Sequence, residues 1–292
     1  MRKILYLFFL IIILTAGCSS SSSDISKEYY FQNLDIEKIW DHSKGKSQTI
    51  AFIDTGISDK AKTLYSDKII DTYNSIKNSK KVIDKHGHGT QMVSIASGNG
   101  EKGITGIAPE SKIIVIKAFE EGEQINPSNI VKAINYAVSK KVDIINMSFG
   151  SFKSNSDIEN AINSAIKNNI TVVASTGDYG NKDTLFPANM NNVVSVEAKN
   201  KEEETWEFSN VSKNDVIAVP GVNINSLTLD NKQVRLDGTS HATAIASGYI
   251  ALLRDYYTKN NINFDNKKII NDLKSLNSIK DKNIDYLKPF KK

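Results

Sequence analysis

The 292 residues suffice for one large α/β domain with a sizeable core or for two small ones, and the hydrophobic (40%) and charged (24%) shares are those of a globular chain. A formal charge of +4 is too small to argue for a nucleic-acid partner, and no basic run interleaved with aromatics appears. Cys18 is the single cysteine, which excludes an intrachain disulfide, and only four histidines are available for acid–base or metal chemistry.

Arg2 and Lys3 precede an apolar run from Ile4 to Leu14, followed by Thr15-Ala16-Gly17-Cys18. A charged start, a short apolar stretch and small residues before a cleavage point predict a secretory signal, too short for a permanent membrane span. The position of Cys18 is similar to the lipobox of bacterial lipoproteins, where that cysteine is lipidated and becomes the first residue; Thr15 is less usual at its place. Ser19 to Ser23 then read as a flexible tether. The expectation is a signal over residues 1–17, lipidated Cys18 with its tether over 18–29, and an extracytoplasmic domain held to the membrane by lipid.

Tyr29 to Trp40 carries scattered apolar residues and is expected to pack on the surface of the domain. Short β-branched runs then alternate with helical patterns, which predicts a parallel sheet covered on both faces. The expected strands are Thr49 to Ile53, Lys112 to Lys117, Val142 to Met147, Ile170 to Ser175, Asn192 to Val196 and Val216 to Val219. Pro127 to Lys140 and Asp157 to Asn168 have apolar residues at helical spacing, with Pro127 suited to a first turn and Asp157 to a cap. The small and apolar positions from Thr243 to Leu253 predict a buried helix. No repeat or linker divides the chain after about Tyr30.

Chemistry-bearing residues fall where strands end, which is where open parallel sheets form their sites. Asp54 closes the first strand ahead of Thr55-Gly56, and His88 lies in His86-Gly87-His88-Gly89-Thr90 at the start of a helical run. Ser240 follows Gly238-Thr239 at the mouth of the buried helix. Taken singly, Asp54 can be a turn residue and Ser240 a helix cap. Together they offer an orienting carboxylate, a general base and a nucleophile, with backbone N–H groups at a helix start to receive negative charge.

These three segments resemble the signature blocks of the subtilisin-like serine proteases, the subtilases. Residues 103–109, 143–150, 186–188 and 220–222 match in family order, so the resemblance covers Thr49 to Tyr257. It implies a three-layer α/β/α subtilisin-like fold with a mainly parallel central sheet in one domain over residues 30–292. It implies a serine endopeptidase in which Ser240 attacks, His88 shuttles the proton and Asp54 orients His88. Ser148, Phe149 and Gly150 would pair with a peptide substrate's backbone, and Ala174, Ser175, Thr176 and Gly177 would line the specificity pocket. In the family the histidine of His-Gly-Thr acts, here His88, and Gln91 stands where a second histidine often follows. His86 and His88 can be read as a metal pair, but no third ligand is evident and no metal is expected. His42 is expected at the surface, and His241 to shape the site rather than move protons.

The sequence departs from the family in several places. Asp178 stands where the oxyanion-binding asparagine is expected, and a carboxylate cannot donate a hydrogen bond to an oxyanion. The proprotein-convertase branch includes an active member with aspartate there. Asp178 is therefore expected to be buried and protonated in the substrate complex, with activity favouring mildly acidic conditions. Ala244 replaces a proline after the nucleophile. Between Cys18 and Phe31 there is no room for the foldase propeptide of many relatives, a trait shared with small subtilases that remove lantibiotic leaders. The Gly98 to Gly103 loop is short and carries Lys102, so calcium is not expected. Leu185 is expected near the bottom of the first pocket, and Glu120, Glu121 and Glu123 could attract a basic substrate residue or form a solvated turn. The rival expectation is a binding or immunity lipoprotein that keeps the fold without useful turnover.

Overall fold

The computed structural model describes residues 28–120, 125–180, 183–211, 216–277 and 284–291. The signal, Cys18 and the serine tether lie outside the described residues. Two short helices, α1 (Tyr29–Asn33) and α2 (Ile36–Trp40), lead into β1 (Thr49–Asp54), α3 (Asp59–Leu64), β2 (Ile69–Asn74), α4 (His88–Ser97) and β3 (Lys112–Lys117). Then follow α5 (Pro127–Ser139), β4 (Ile144–Met147), α6 (Ser156–Lys167), β5 (Thr171–Ser175), β6 (Val194–Lys199) and β7 (Val216–Pro220). A hairpin of β8 (Ile224–Leu227) and β9 (Gln233–Leu236) precedes α7 (Thr239–Lys259) and α8 (Asn266–Asn277).

The seven strands β1 to β7 form one parallel sheet in the order β2-β3-β1-β4-β5-β6-β7. Side chains alternate across each strand, so a strand buried on both faces needs apolar residues throughout. In β1, Ile50 and Phe52 join the core shared with α4, α7 and α8, whereas Ala51 and Ile53 join the core under α5 and α6. Two apolar layers on either side of one sheet make the three-layer α/β/α arrangement. The chain winds outward from β1 to the β2 edge, returns, and crosses to β4 on the other side of β1. That reversal opens a crevice at the carboxyl ends of β1 and β4.

Four features differ from the sequence expectation. The segment from Tyr29 to Trp40 is not a surface layer: Tyr30, Phe31, Leu34, Ile36 and Ile39 are buried in the same core as α7. Asp157 is not the cap of α6; the Asn155 side chain accepts from the N–H groups of Asp157 and Ile158, both at 3.1 Å, and Asp157 sits in the first turn. Strand β2 lies at the sheet edge with Ile70 half exposed and Asp71 and Thr72 in its middle, so it lacks the apolar run of a buried strand. The β8–β9 hairpin is four residues a side, and β9 alternates exposed Gln233 and Arg235 with half-buried Val234 and Leu236.

Helix α7 runs through the core on the α4 side of the sheet. Every residue from Thr239 to Tyr257 except Ser240 is buried. Its small residues permit close approach: a Cβ added at Gly248 would stand 2.6 Å from the Ile107 Cβ and 3.1 Å from the Ala96 carbonyl oxygen. At the amino ends of the strands, buried Arg254 of α7 donates to Gln48 at 3.0 Å and Thr171 at 3.1 Å, tying the helix to the sheet. Gly248→Val is expected to destabilise the fold by about 1–3 kcal/mol through overpacking. A lowered urea midpoint at unchanged m-value measures it.

Candidate active site

Asp54 is the last residue of β1 and fully buried. Its Oδ1 accepts from the Thr55 N–H at 2.7 Å and lies 2.8 Å from Nδ1 of His88. A carboxylate can only accept, so the hydrogen between the two belongs to the His88 Nδ1. His88 opens α4, and Gly89 lets that helix start approach β1: a Cβ there would stand 2.3 Å from the Gly56 carbonyl oxygen.

A residue that the sequence reading missed builds this corner. Asp84 is buried; its Oδ1 accepts from the N–H groups of His86 and Gly87, both at 2.9 Å, and from the Thr55 hydroxyl at 3.1 Å. Its Oδ2 accepts from the Thr90 N–H at 3.0 Å and the Thr90 hydroxyl at 2.7 Å. Thr55 in turn accepts from the Gly89 N–H at 2.9 Å. One carboxylate therefore joins the turn after β1 to the first turn of α4, and so fixes His88 against Asp54. The sequence signal was an aspartate two and three residues ahead of N–H groups in a glycine-containing turn.

Ser240, in the first turn of α7, donates from Oγ to the Ser148 carbonyl oxygen at 3.1 Å, and the Ser148 hydroxyl donates to the Ser240 carbonyl oxygen at 3.1 Å. Ser148 lies one residue beyond β4, the neighbour of β1. Asn146 holds Ser148 at 3.0 Å and accepts from Ser247 of α7 at 2.9 Å. Asp54, His88 and Ser240 are thus brought to the same carboxyl edge of the sheet. The Ser240 N–H has no acceptor among the described residues, which leaves a donor at a helix N-terminus for negative charge.

Asp178 is exposed in the free protein. Its Oδ1 accepts from the Thr239 N–H at 2.9 Å and the Thr239 hydroxyl at 2.6 Å, so it caps α7. Ala244 is an ordinary buried helix residue.

The Ser148–Gly150 segment and the Ala174–Gly177 segment both approach Leu185, through Gly150 and Gly177. The backbone groups of Phe149 and Gly150 have no partner among the described residues, whereas Ser151 exchanges hydrogen bonds with Phe186 at 2.8 and 2.9 Å. Leu185 is buried; a Cβ on Gly150 or on Gly177 would come within 2.7 Å of its side chain. Beyond Phe149 opens a mainly apolar cavity of about 440 Å³ lined by Ile125, Pro127, Ile130, Met147, Ile158 and Phe186, with Lys153, Ser154 and Asn155 also on its wall. The sequence reading did not find this cavity, because its walls come from three separate segments.

Glu120 is not a free attractant for a basic residue, since it pairs with Lys117 at 2.8 Å; Glu121 and Glu123 lie outside the described residues. His42 is exposed, its ring 5.9 Å from that of Tyr256, and His86 is exposed beside the Asp84 turn. Beside the Gly98–Gly103 loop, the buried Lys68 ammonium donates to the Ser97 carbonyl oxygen at the end of α4. Burial pulls its pKa down to about 8.

The model of the subtilase family matches residues 45–276, a span that holds Asp54, His88, Asp178 and Ser240. The chain belongs to the subtilase family. It is 34% identical over 229 residues to the thermophilic serine proteinase of Bacillus sp. (strain AK1), covering 77% of this chain and 57% of that one. It is 34% identical over 224 residues to the major intracellular serine protease of Bacillus subtilis (strain 168), covering 73% and 70%. This chain thus spans little more than half the length of the first relative. Among solved structures it is similar to the prenylagaramide maturation protease PagA, with a TM-score of 0.75 and 26% identity over 88% of this chain and 97% of that one.

Burial alone would push the Asp84 carboxyl up, but the donors of Gly87, Thr90 and His86 outweigh it and hold the group below the usual carboxylate range. The unfolded chain therefore takes up the proton first, near pH ~4. The stability Asp84 contributes is complete above that value and is lost as the pH falls through the lower folded-state value. Asp84→Asn is expected to cost about 2–4 kcal/mol at neutral pH and to flatten the acid limb of stability. Thermal unfolding of both proteins from pH 7 to pH 3 measures this.

Proposed function

We propose that this subtilase is a serine endopeptidase working through Asp54, His88 and Ser240. The observation that carries the reading is the Asp54–His88 hydrogen bond at 2.8 Å on the sheet edge that also holds Ser240. His88 Nε2 takes the Ser240 proton as Oγ attacks a peptide carbonyl, and Asp54 stabilises the imidazolium that results. The proton then passes to the leaving amine, and water repeats the cycle on the acyl-enzyme.

The substrate is an extended peptide laid along Ser148, Phe149 and Gly150 as an added strand, with one side chain directed at Ala174–Gly177. Leu185 makes that pocket shallow and apolar, and the cavity beside Phe149 suits a second apolar side chain. Precursor processing is favoured over general degradation, in keeping with a structural neighbour named as a maturation protease. Location follows from the sequence: lipidation at Cys18 would hold the domain on the outer face of a bacterial membrane.

Asp178 supports a second reading, a binding or immunity lipoprotein with little turnover, because an ionised carboxylate beside the nucleophile opposes an oxyanion. Fluorophosphonate labelling separates the two. The parent is expected to be labelled and Ser240→Ala not, while Asp54→Asn is expected to lower kcat by about 10⁴-fold through the wrong His88 tautomer. An unlabelled parent supports the second reading. Incorporation of an alkyne palmitate, abolished by Cys18→Ala, tests the anchor.

A further inference from the structure

His241 follows Ser240 in the first turn of α7 and is 5% exposed. Neither ring nitrogen has a hydrogen-bond partner among the described residues. A neutral imidazole carries one donor and one acceptor, and leaving them unmet in the interior is costly. An apolar side chain of the same volume would fill the space at no such cost. A structural role therefore does not account for the imidazole.

The surroundings indicate what the ring lacks. Its Nδ1 and the Oδ2 of Asp178 each lie 3.2 Å from the point where a Cβ of Gly238 would stand. Asp178 Oδ1 is held by Thr239, so Oδ2 is the oxygen that faces this spot. The unpaired N–H of Ser240 is two residues further along. The start of α7 thus offers one open backbone donor, at Ser240, and the Asp178 Oδ2 near Gly238, but among the described contacts no second donor of the kind an oxyanion needs. Burial, and then the nearby charge of His88, pull the His241 pKa down to about 3. In its buried resting place the ring is therefore neutral and does not oppose an imidazolium on His88.

Resting on the serine-endopeptidase reading, we propose that His241 is a further catalytic residue, whose neutral N–H turns out beside Asp178 to hold the substrate's carbonyl oxygen during attack. As the Ser240 Oγ–carbon bond forms, the carbonyl π pair moves onto oxygen and the serine proton goes to His88. The oxyanion then accepts from the Ser240 N–H and the His241 N–H, and no proton leaves His241. Collapse restores the carbonyl, expels the amine with the proton from His88, and frees His241. Turning the ring breaks no hydrogen bond, because it makes none in the resting state.

The test is the rate at which p-nitrophenyl acetate acylates Ser240 in the full chain, with thermal unfolding of each variant alongside. His241→Leu keeps apolar volume and removes both nitrogens. It is expected to slow acylation by about 10²-fold with KM little changed, while unfolding at the same or a higher temperature. His241→Gln, which restores an N–H, is expected to recover most of the rate. In an Asp178→Asn background, where the amide supplies the donor, His241→Leu is expected to cost only a few-fold. Parental acylation by His241→Leu, or the same loss in both backgrounds, overturns the proposal and leaves the protease reading intact. A parent that is never acylated at Ser240 overturns both.

Discussion

A helix packed on all sides can shift along its axis only by displacing several neighbours at once, and α7 is packed in this way from Thr239 to Tyr257. Each large apolar side chain it buries contributes about 1.5–3 kcal/mol, against about 0.5–1.5 kcal/mol for a single hydrogen bond. Packing therefore decides where the helix begins, and hydrogen bonds decide only how its first turn is oriented. Ser240 is the one residue of that run not buried, and its amide is left open. The bonds among Ser240, Ser148, Asn146 and Ser247 then couple the helix start to the end of β4. Because β4 and β1 are neighbours in the sheet, the coupling reaches Asp54 and, through it, His88.

Asp178 sets two requirements of this site against each other. A carboxylate at a helix N-terminus is favourable, and here it meets both the N–H and the hydroxyl of Thr239. The same charge becomes unfavourable once an alkoxide forms nearby: like charges ~4 Å apart repel by about 4 kcal/mol at an effective dielectric of about 20. That exceeds what the cap contributes, about 1 kcal/mol. Efficient turnover thus needs either a proton on Asp178 or another donor facing the same spot. The unmet nitrogens of His241 would supply such a donor.

The sequence made legible those features whose physics is local or whose pattern is strong. The strands β1, β3, β4 and β5 are mostly apolar and buried because both their faces are covered, and their ends were placed within two residues. Strand β2 was illegible because an edge strand tolerates Asp71 and Thr72 in its middle. Helices α1 and α2 are too short for periodicity to reveal a buried face, so only tertiary packing shows Tyr30, Phe31 and Ile36 as core. Asp54, His88 and Ser240 stood out because glycine turns and a buried helix flank them. Asp84 did not, since its role consists of donors from Thr55, His86, Gly87 and Thr90 that only the fold brings together. The exposure of Asp178 in the free protein was not legible, because exposure is a property of the surrounding loops and not of the motif.

The backbone of Ser148–Gly150 supports a peptide over a small rigid ligand. Unpaired N–H and C=O groups along a strand-like segment are costly and invite pairing, which proteins limit by keeping such edges short. Here the open stretch is Phe149–Gly150, closed on one side by the Ser151–Phe186 bridge and on the other by the Ser148–Ser240 bonds. Two residues are too few for a second copy of the chain to add a stable strand, but they suffice to fix the register of one extended peptide. Register then decides which substrate side chain faces Leu185 and which enters the cavity beside Phe149. Cleavage position would therefore be set by apolar side chains on the substrate, with the backbone pairing supplying affinity that does not depend on sequence.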